Sequence, residues 1–283
     1  MIEIGKINRL MALRETSVGM FLNEDAGGPE EDDILLPNKY VPADLHVGEE
    51  IDVFVYTDSE DRIIATTIQP KIKRNEFAFL QCVAVTTVGA FLDWGLEKDL
   101  FVPFKEQRRK MEVGRRYVVF LYLDYETNRL VASTRLNRFI IQENVNLEPG
   151  QEVELLAYEA TDLGMNVIIN NRYRGLVYAS ETFRRLYPGD RLKGYIRQIR
   201  PDNRVDVSLE PLGFARVQPS ADRILEALRE ADGFLPLNDD SAPDDIYRTL
   251  EMSKKAFKQA IGGLYRAKRI RIEPDGIHLI KPR

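Results

Sequence analysis

The chain has 283 residues, 44% hydrophobic and 30% charged, with 40 Lys and Arg against 45 Asp and Glu for a formal net charge of −5. This is a globular composition with room for two average domains or several small ones, and no apolar run approaches the roughly 20 residues that a membrane-spanning helix needs. The lone cysteine, Cys82, excludes an internal disulfide and a cysteine-based zinc set, and Met1 to Lys6 lack a basic-then-apolar leader, so a cytoplasmic setting is expected.

Residues 1–70 are read as the first of three small β units. Val18-Gly19-Met20-Phe21-Leu22 opens it, Ile34 to Pro37 forms a middle strand, Val47-Gly48 a turn, and Asp58 to Thr67 the close. Between the first two lies Asn23 to Asp33, which carries six acidic residues and Gly27-Gly28-Pro29 and is expected to be a solvated loop. Residues 71–145 repeat the grammar as Thr86 to Leu92, Leu100 to Pro103, Val113-Gly114, an apolar run Tyr117 to Leu123, and Arg129 to Ser133. Cys82 falls in a strand here and is read as a small buried apolar residue. Residues 146–212 repeat it again at Leu163 to Val167, Gly175 to Ser180, Pro188-Gly189-Asp190 and Arg204 to Ser208. The opening glycines 19, 89 and 164 lie 70 and 75 residues apart (89 − 19 and 164 − 89). A fixed order at nearly fixed spacing is an internal repeat. Five short strands rich in Val, Phe, Tyr and Leu within about 60 residues suit a closed barrel of the OB type, where closure removes the sheet edges.

From Pro211 the period becomes helical. Ser220 to Arg223 is expected to start a helix with Ile224, Leu225 and Leu228 on its apolar face, and Phe234 to Leu237 to be a short extended piece. Ser241-Ala242-Pro243 opens a second helix to Leu250, and Ser253 caps a third over Lys254 to Arg266. Two strands follow, joined by Glu273-Pro274-Asp275-Gly276, where Asp-Gly signals a hairpin. Three helices and a hairpin in this order over residues 213–283 predict a winged helix-turn-helix. The fold class expected is therefore mainly β with a C-terminal α+β domain: three tandem S1-type OB barrels followed by a winged helix.

The repeat resembles the S1 RNA-binding domain. That family shows a Gly-Ala-Phe-Val-like strand, a Gly-Leu-Val-His-Ile-Ser-like strand, a Val-Gly, and a closing Arg-Ile-x-Leu-Ser strand. Copy two follows the pattern except at Leu100-Phe101-Val102-Pro103. Copy three matches best at Gly175 to Ser180, with Tyr178 where the family often has histidine, and copy one diverges most. Three S1 copies followed by a winged helix resemble the conserved virulence factor B / YitL family of bacterial RNA-binding proteins. The resemblance implies single-stranded RNA as partner and a regulatory role in transcript stability or translation.

Candidate contacts follow from strand alternation. Ala90 and Leu92 fall on one face of the second strand of copy two, Phe91 and Asp93 on the other. An outward aromatic there meets the requirement of base stacking, since every base has a π face. By resemblance Phe91 takes the family's second-strand aromatic position, with Phe21 its counterpart in copy one; Trp94, the only tryptophan, would extend the platform. Packing as barrel core or turn cover is the alternative for both Phe91 and Trp94. In copy three Asn166 replaces the strand aromatic, and Tyr173, Arg174 and Tyr178 supply alternatives on the neighbouring strand. Arg129 stands at the family's frequent basic position, with Arg62 and Arg204 as counterparts, to pair with phosphate or stack on a base. The competing reading of Arg129 is a surface arginine balanced by Asp124 or Glu126. In the winged helix Lys254, Lys255, Lys258, Arg269 and Arg271 would meet phosphates, or be ordinary solvated cations.

The charge divides unevenly. Residues 1–70 carry 5 basic against 15 acidic side chains (−10), residues 73–135 carry 11 against 8 (+3), residues 148–212 carry 9 against 10 (−1), and residues 213–283 carry 13 against 11 (+2). Phosphate binding needs local rather than total positive charge, so copies two and three and the winged helix are favoured over copy one. His46 and His278 lie far apart, and no Walker loop, nucleophile elbow or dinucleotide fingerprint occurs. No catalytic residue, metal or cofactor is expected. The leading reading is a non-enzymatic binder of single-stranded RNA. A DNA-binding transcription regulator led by the winged helix, and a protein-interaction adaptor with degenerate barrels, are the alternatives.

Overall fold

The fold is that of a computed structural model, which describes residues 2–280 except 26, 28, 183, 184, 212 and 213, with backbone alone at 181 and 214–219. The chain divides into two compact units, Met1–Ile140 and Ile141–Arg283. No helix among the described residues is long and apolar enough to cross a membrane.

The first unit holds two barrels. Strands β1 (Ile7–Thr16), β2 (Gly19–Asn23), β3 (Ile34–Pro37), β4 (Glu50–Thr57) and β5 (Ile63–Thr66) close in the order β1-β2-β3-β5-β4. Strands β6 (Phe77–Val85), β7 (Gly89–Asp93), β8 (Leu100–Pro103), β9 (Arg116–Asp124) and β10 (Arg129–Ser133) keep the same cyclic order, with the ladder left open between β8 and β10. The second unit begins with a third barrel of β11 (Glu152–Thr161), β12 (Gly164–Ile169), β13 (Tyr173–Tyr178), β14 (Arg191–Ile199) and β15 (Val205–Ser208), closed in the same order.

Two local devices recur in all three copies. The long first strand pairs with two neighbours and carries one bulge, at Ala12/Arg14, Cys82/Ala84 and Ala157/Glu159. A bulge bends and twists a strand, which lets it leave one ladder and join the next. The opening glycine has φ of 154°, 159° and 151° at Gly19, Gly89 and Gly164, and a Cβ there would stand 2.1, 2.4 and 2.1 Å from the carbonyl oxygens of Leu36, Val102 and Val177. Only a residue without a side chain lets the two backbones approach so closely. This is why the repeat is legible at its glycines.

The cores of the first two barrels are continuous. Phe54 and Tyr56 of β4, Ile72 of the connecting segment, and Leu92 and Trp94 of the second barrel belong to one buried cluster. Cys82 is fully buried in β6, as expected of a small apolar residue, and burial pushes its thiol up.

The second unit ends in α1 (Phe214–Glu230), β16 (Phe234–Leu235), α2 (Pro243–Leu250), α3 (Lys254–Arg266), β17 (Ile270–Glu273) and β18 (Gly276–Leu279), the strands ordered β16-β18-β17. Ile224, Leu225 and Leu228 of α1 pack with Phe257, Ala260, Ile261 and Leu264 of α3 in one core. Ser253 caps α3 as expected, its hydroxyl accepting from the Ala256 N–H at 2.9 Å. Two expectations need correcting. Helix α1 starts six residues before Ser220, so that serine lies inside the helix rather than at its cap. In the hairpin Glu273 pairs with Gly276, which leaves Pro274 and Asp275 at the corner instead of Asp-Gly. Gly276 instead lets β18 pass close under β16, where a Cβ would meet the Leu235 carbonyl oxygen at 2.1 Å.

Candidate nucleic-acid interface

On the outer face of the second barrel, β7 turns Ala90 and Leu92 inward and leaves Phe91 half-buried outside. Phe91 is paired across the ladder with Phe101 of β8, ring centroids 5.2 Å apart and tilted by 37°. The two rings border a cavity of about 550 Å³ also lined by Lys98, Arg129 and, from the first barrel, Thr57, Ser59 and Asp61. An aromatic pair beside two cations can stack a base and hold its phosphate.

Trp94 does not extend this platform outward. It is 2% exposed, meets Phe54 and Tyr56 of the first barrel edge-on at 5.7 and 6.1 Å, and donates its Nε1–H to the Lys98 carbonyl at 2.5 Å. The competing reading, core packing, is the observed one. The sequence gives no sign that a second barrel covers this face. Phe21 has the position of Phe91 in the first barrel, but the Arg14 guanidinium lies over its ring at 4.4 Å. Arg14 is in turn paired with the buried Asp33 carboxylate at the end of the acidic loop.

In the third barrel β13 alternates strictly, with Tyr173, Gly175 and Val177 inward and Arg174, Leu176 and Tyr178 outward. Tyr173 is therefore a core residue, 5% exposed, and its assignment as a contact is overturned by the two-residue period of the strand. Asn166 is also buried, its side-chain amide donating to Glu159 at 3.2 Å. Tyr178 and Arg174 border a cavity of about 580 Å³ with Arg200, Arg204 and Asp206. The Tyr178 hydroxyl lies 3.4 Å from the buried Asp206 carboxylate and accepts from Arg200, which also pairs with Asp206 at 3.0 Å. A hydrogen bond to Asp206 raises the Arg200 guanidinium further, so its charge is fixed. Arg174 has no ion-pair partner among the described residues. Arg200 and Asp206 were missed at the sequence level, although their places flanking the closing turn could have been read from the repeat.

The three turn arginines differ in their partners. Arg62 is held by Asp58 at 2.7 Å and Glu60 at 3.0 Å, and Arg204 by Asp202 at 3.3 Å, all within their own turns. Arg129 is paired with neither Asp124 nor Glu126. Its guanidinium donates to Asp61 of the first barrel.

On α3 Lys255 and Lys258 are exposed, and Lys254 is half-buried with its ammonium 3.3 Å from the Asp240 carbonyl. Arg269 is exposed, while Arg271 pairs with Glu273 at 3.4 Å. The hairpin also gathers ligand atoms of Glu273, Asp275 and His278 within 4.8 Å of one another, a set that the spacing of the two histidines did not suggest. Asp275 lies 3.2 Å from the His278 Nε2, which suffices to account for the ring's orientation.

An S1 domain model matches residues 4–68 and 78–135, and a CvfB-like winged helix domain model matches residues 222–279. The third barrel lies outside these segments and shares their strand order. Conserved virulence factor B of Staphylococcus epidermidis is 29% identical over 264 residues, covering 90% of this chain and 88% of that one. The uncharacterized protein YitL of Bacillus subtilis is 30% identical over 257 residues, 88% of this chain and 85% of that one. A crystal structure of a multidomain protein with nucleic acid binding domains from Streptococcus pneumoniae is 24% identical, covers 98% of both chains, and superposes with a TM-score of 0.42. Both matched domain types indicate nucleic-acid binding. In sequence and in domain order the chain belongs to the conserved virulence factor B / YitL family.

Proposed function

We propose that this protein is a non-enzymatic, cytoplasmic RNA-binding protein that holds flexible single-stranded RNA and so acts as a post-transcriptional regulator. The observation that carries this reading is the pair Phe91–Phe101 on the outer face of the second barrel with Lys98 and Arg129 beside it. Outward-facing, half-buried rings on a strand pair can accept an unstacked base, whereas the stacked bases of a duplex are unavailable to them. The third barrel supports the same reading with Tyr178 beside Arg174, Arg200 and Arg204.

A second reading rests on the winged helix. Lys255, Lys258 and Arg269 are exposed on and after α3, the helix that such a module would lay in a major groove. Titrating the full chain with single-stranded RNA, single-stranded DNA and duplex DNA at one fixed salt separates the two. The expected order is RNA tightest and duplex weakest. Duplex DNA bound at least as tightly as RNA would favour the transcription-regulator reading, and no binding to any of the three would favour an adaptor.

A further inference from the structure

One backbone feature recurs in the closing turn of all three barrels. Asp61, Asn128 and Asn203 all adopt positive φ, at 63°, 53° and 59°, and each directly precedes the turn arginine. The turn is tied in the same way in the first and third copies, the N–H of Asp61 donating to the Asp58 carbonyl at 3.1 Å and that of Asn203 to the Arg200 carbonyl at 2.9 Å. Asparagine is among the residues best suited to the left-handed region, and aspartate is a close substitute. Backbone geometry alone therefore accounts for asparagine in copies two and three, and leaves the charge in copy one unexplained.

That charge is spent on the neighbouring barrel. The Asp61 carboxylate accepts from Arg129 and lies 3.7 Å from the Lys98 ammonium, which also donates to the Asp58 carbonyl at 2.6 Å. Arg129 and Lys98 are the two cations beside Phe91 and Phe101. Burial pushes the Lys98 ammonium down, and the carboxylates of Asp61 and, to a smaller extent, Asp58 counter this. A carboxylate bound to both cations at the edge of an aromatic groove stands where a nucleic-acid phosphate would stand.

We infer that Asp61 of the first barrel occupies the phosphate position of the second barrel's groove, so that RNA must displace it to bind there. The first barrel, with its charge of −10, thereby sets the affinity of the second. This rests on the RNA-binding reading above. It makes Asp61 a residue that tunes affinity without touching RNA. The same turn position holds the neutral Asn128 in the second barrel and Asn203 in the third.

Asp61→Asn tests this in the full chain, because it installs the residue that the other two turns already carry. Removing an exposed ion-pair partner that competes for the cations should tighten single-stranded RNA binding about 1.5- to 5-fold at low salt. It should also steepen the log–log salt dependence by roughly 0.7 for each cation released to phosphate. Glu60→Gln removes the same charge from the same turn without contact to Lys98 or Arg129, and should change affinity by less than about half as much. In an Arg129→Ala background the gain from Asp61→Asn should shrink, since sites that share a partner are not additive. Equal gains from Glu60→Gln and Asp61→Asn would reduce the effect to net charge and overturn the inference. So would an unchanged affinity with a lowered thermal midpoint, which would make the pair a brace between barrels. Failure of the parent chain to bind RNA would instead overturn the functional reading itself.

Discussion

Phe91 and Trp94 lie three residues apart on one strand and the loop after it, yet the structure gives them opposite duties, and truncating each should separate binding from folding. Trp94 is 2% exposed between Phe54 and Tyr56, with its indole N–H bonded to the Lys98 carbonyl. Trp94→Ala removes a buried aromatic, for which about 3–5 kcal/mol of folding stability is expected. The freed carbonyl adds to the cost only where water fails to reach it. Against a typical total of about 5–15 kcal/mol this is roughly a fifth or more of the stability. Phe91 is half-buried and loses mainly its contact with Phe101, so Phe91→Ala should cost about 1 kcal/mol of stability or less. If Phe91 stacks a base, the same change should cost about 1–3 kcal/mol of binding, or roughly 5- to 150-fold in Kd. Urea denaturation followed by far-ultraviolet circular dichroism gives the first quantity, and anisotropy of a labelled single-stranded RNA the second. Circular dichroism is needed because Trp94 is the only tryptophan. The RNA affinity of folded Trp94→Ala, measured well below its midpoint, should lie within about two-fold of the parent, since the missing stability is not binding energy. A Trp94→Ala protein that melts normally but loses RNA, or a Phe91→Ala protein that melts early and keeps RNA, would refute the division.

Three further outcomes follow from the geometry. Gly164→Ala should destabilise the third barrel severely, because its Cβ would stand 2.1 Å from the Val177 carbonyl oxygen, whereas Gly150→Ala, with open space around it, should suffer only the strain of its φ of 88°; thermal melts compare the two. Ser253→Ala should cost about 1 kcal/mol of winged-helix stability through loss of the α3 cap, read by urea midpoints. Burial pushes the Glu106 carboxyl up, but hydrogen bonds from Ser133 and Arg138 and the Arg138 charge outweigh it, so the group is held below its ordinary value. A depressed carboxylate contributes stability above its unfolded pKa and loses it as the pH falls through the folded one. Stability should therefore drop on acidification within and below the ordinary carboxylate range, and Glu106→Gln should flatten that part of the profile in urea midpoints taken across pH.

The sequence by itself determined the number of barrels, the order of strands within each, and the helix-strand plan of the C-terminal domain. Those features are written in local chemistry: glycines where two backbones nearly touch, a two-residue apolar period along the strands, and a serine cap at the start of α3. Alternation alone also placed Phe91 outside its barrel, and the same rule, applied residue by residue to β13, would have put Tyr173 inside. What only the tertiary structure decided is which outward surface stays open. Trp94 lies beyond the end of its strand, where no period constrains it, and its burial depends on a barrel whose strand β4 begins 44 residues earlier (94 − 50). Arg129 is read from its own turn as a partner of Asp124 or Glu126, but it reaches Asp61, 68 residues away. Strand pattern fixes which way a side chain points, and the packing of one closed barrel on the next fixes what it meets there.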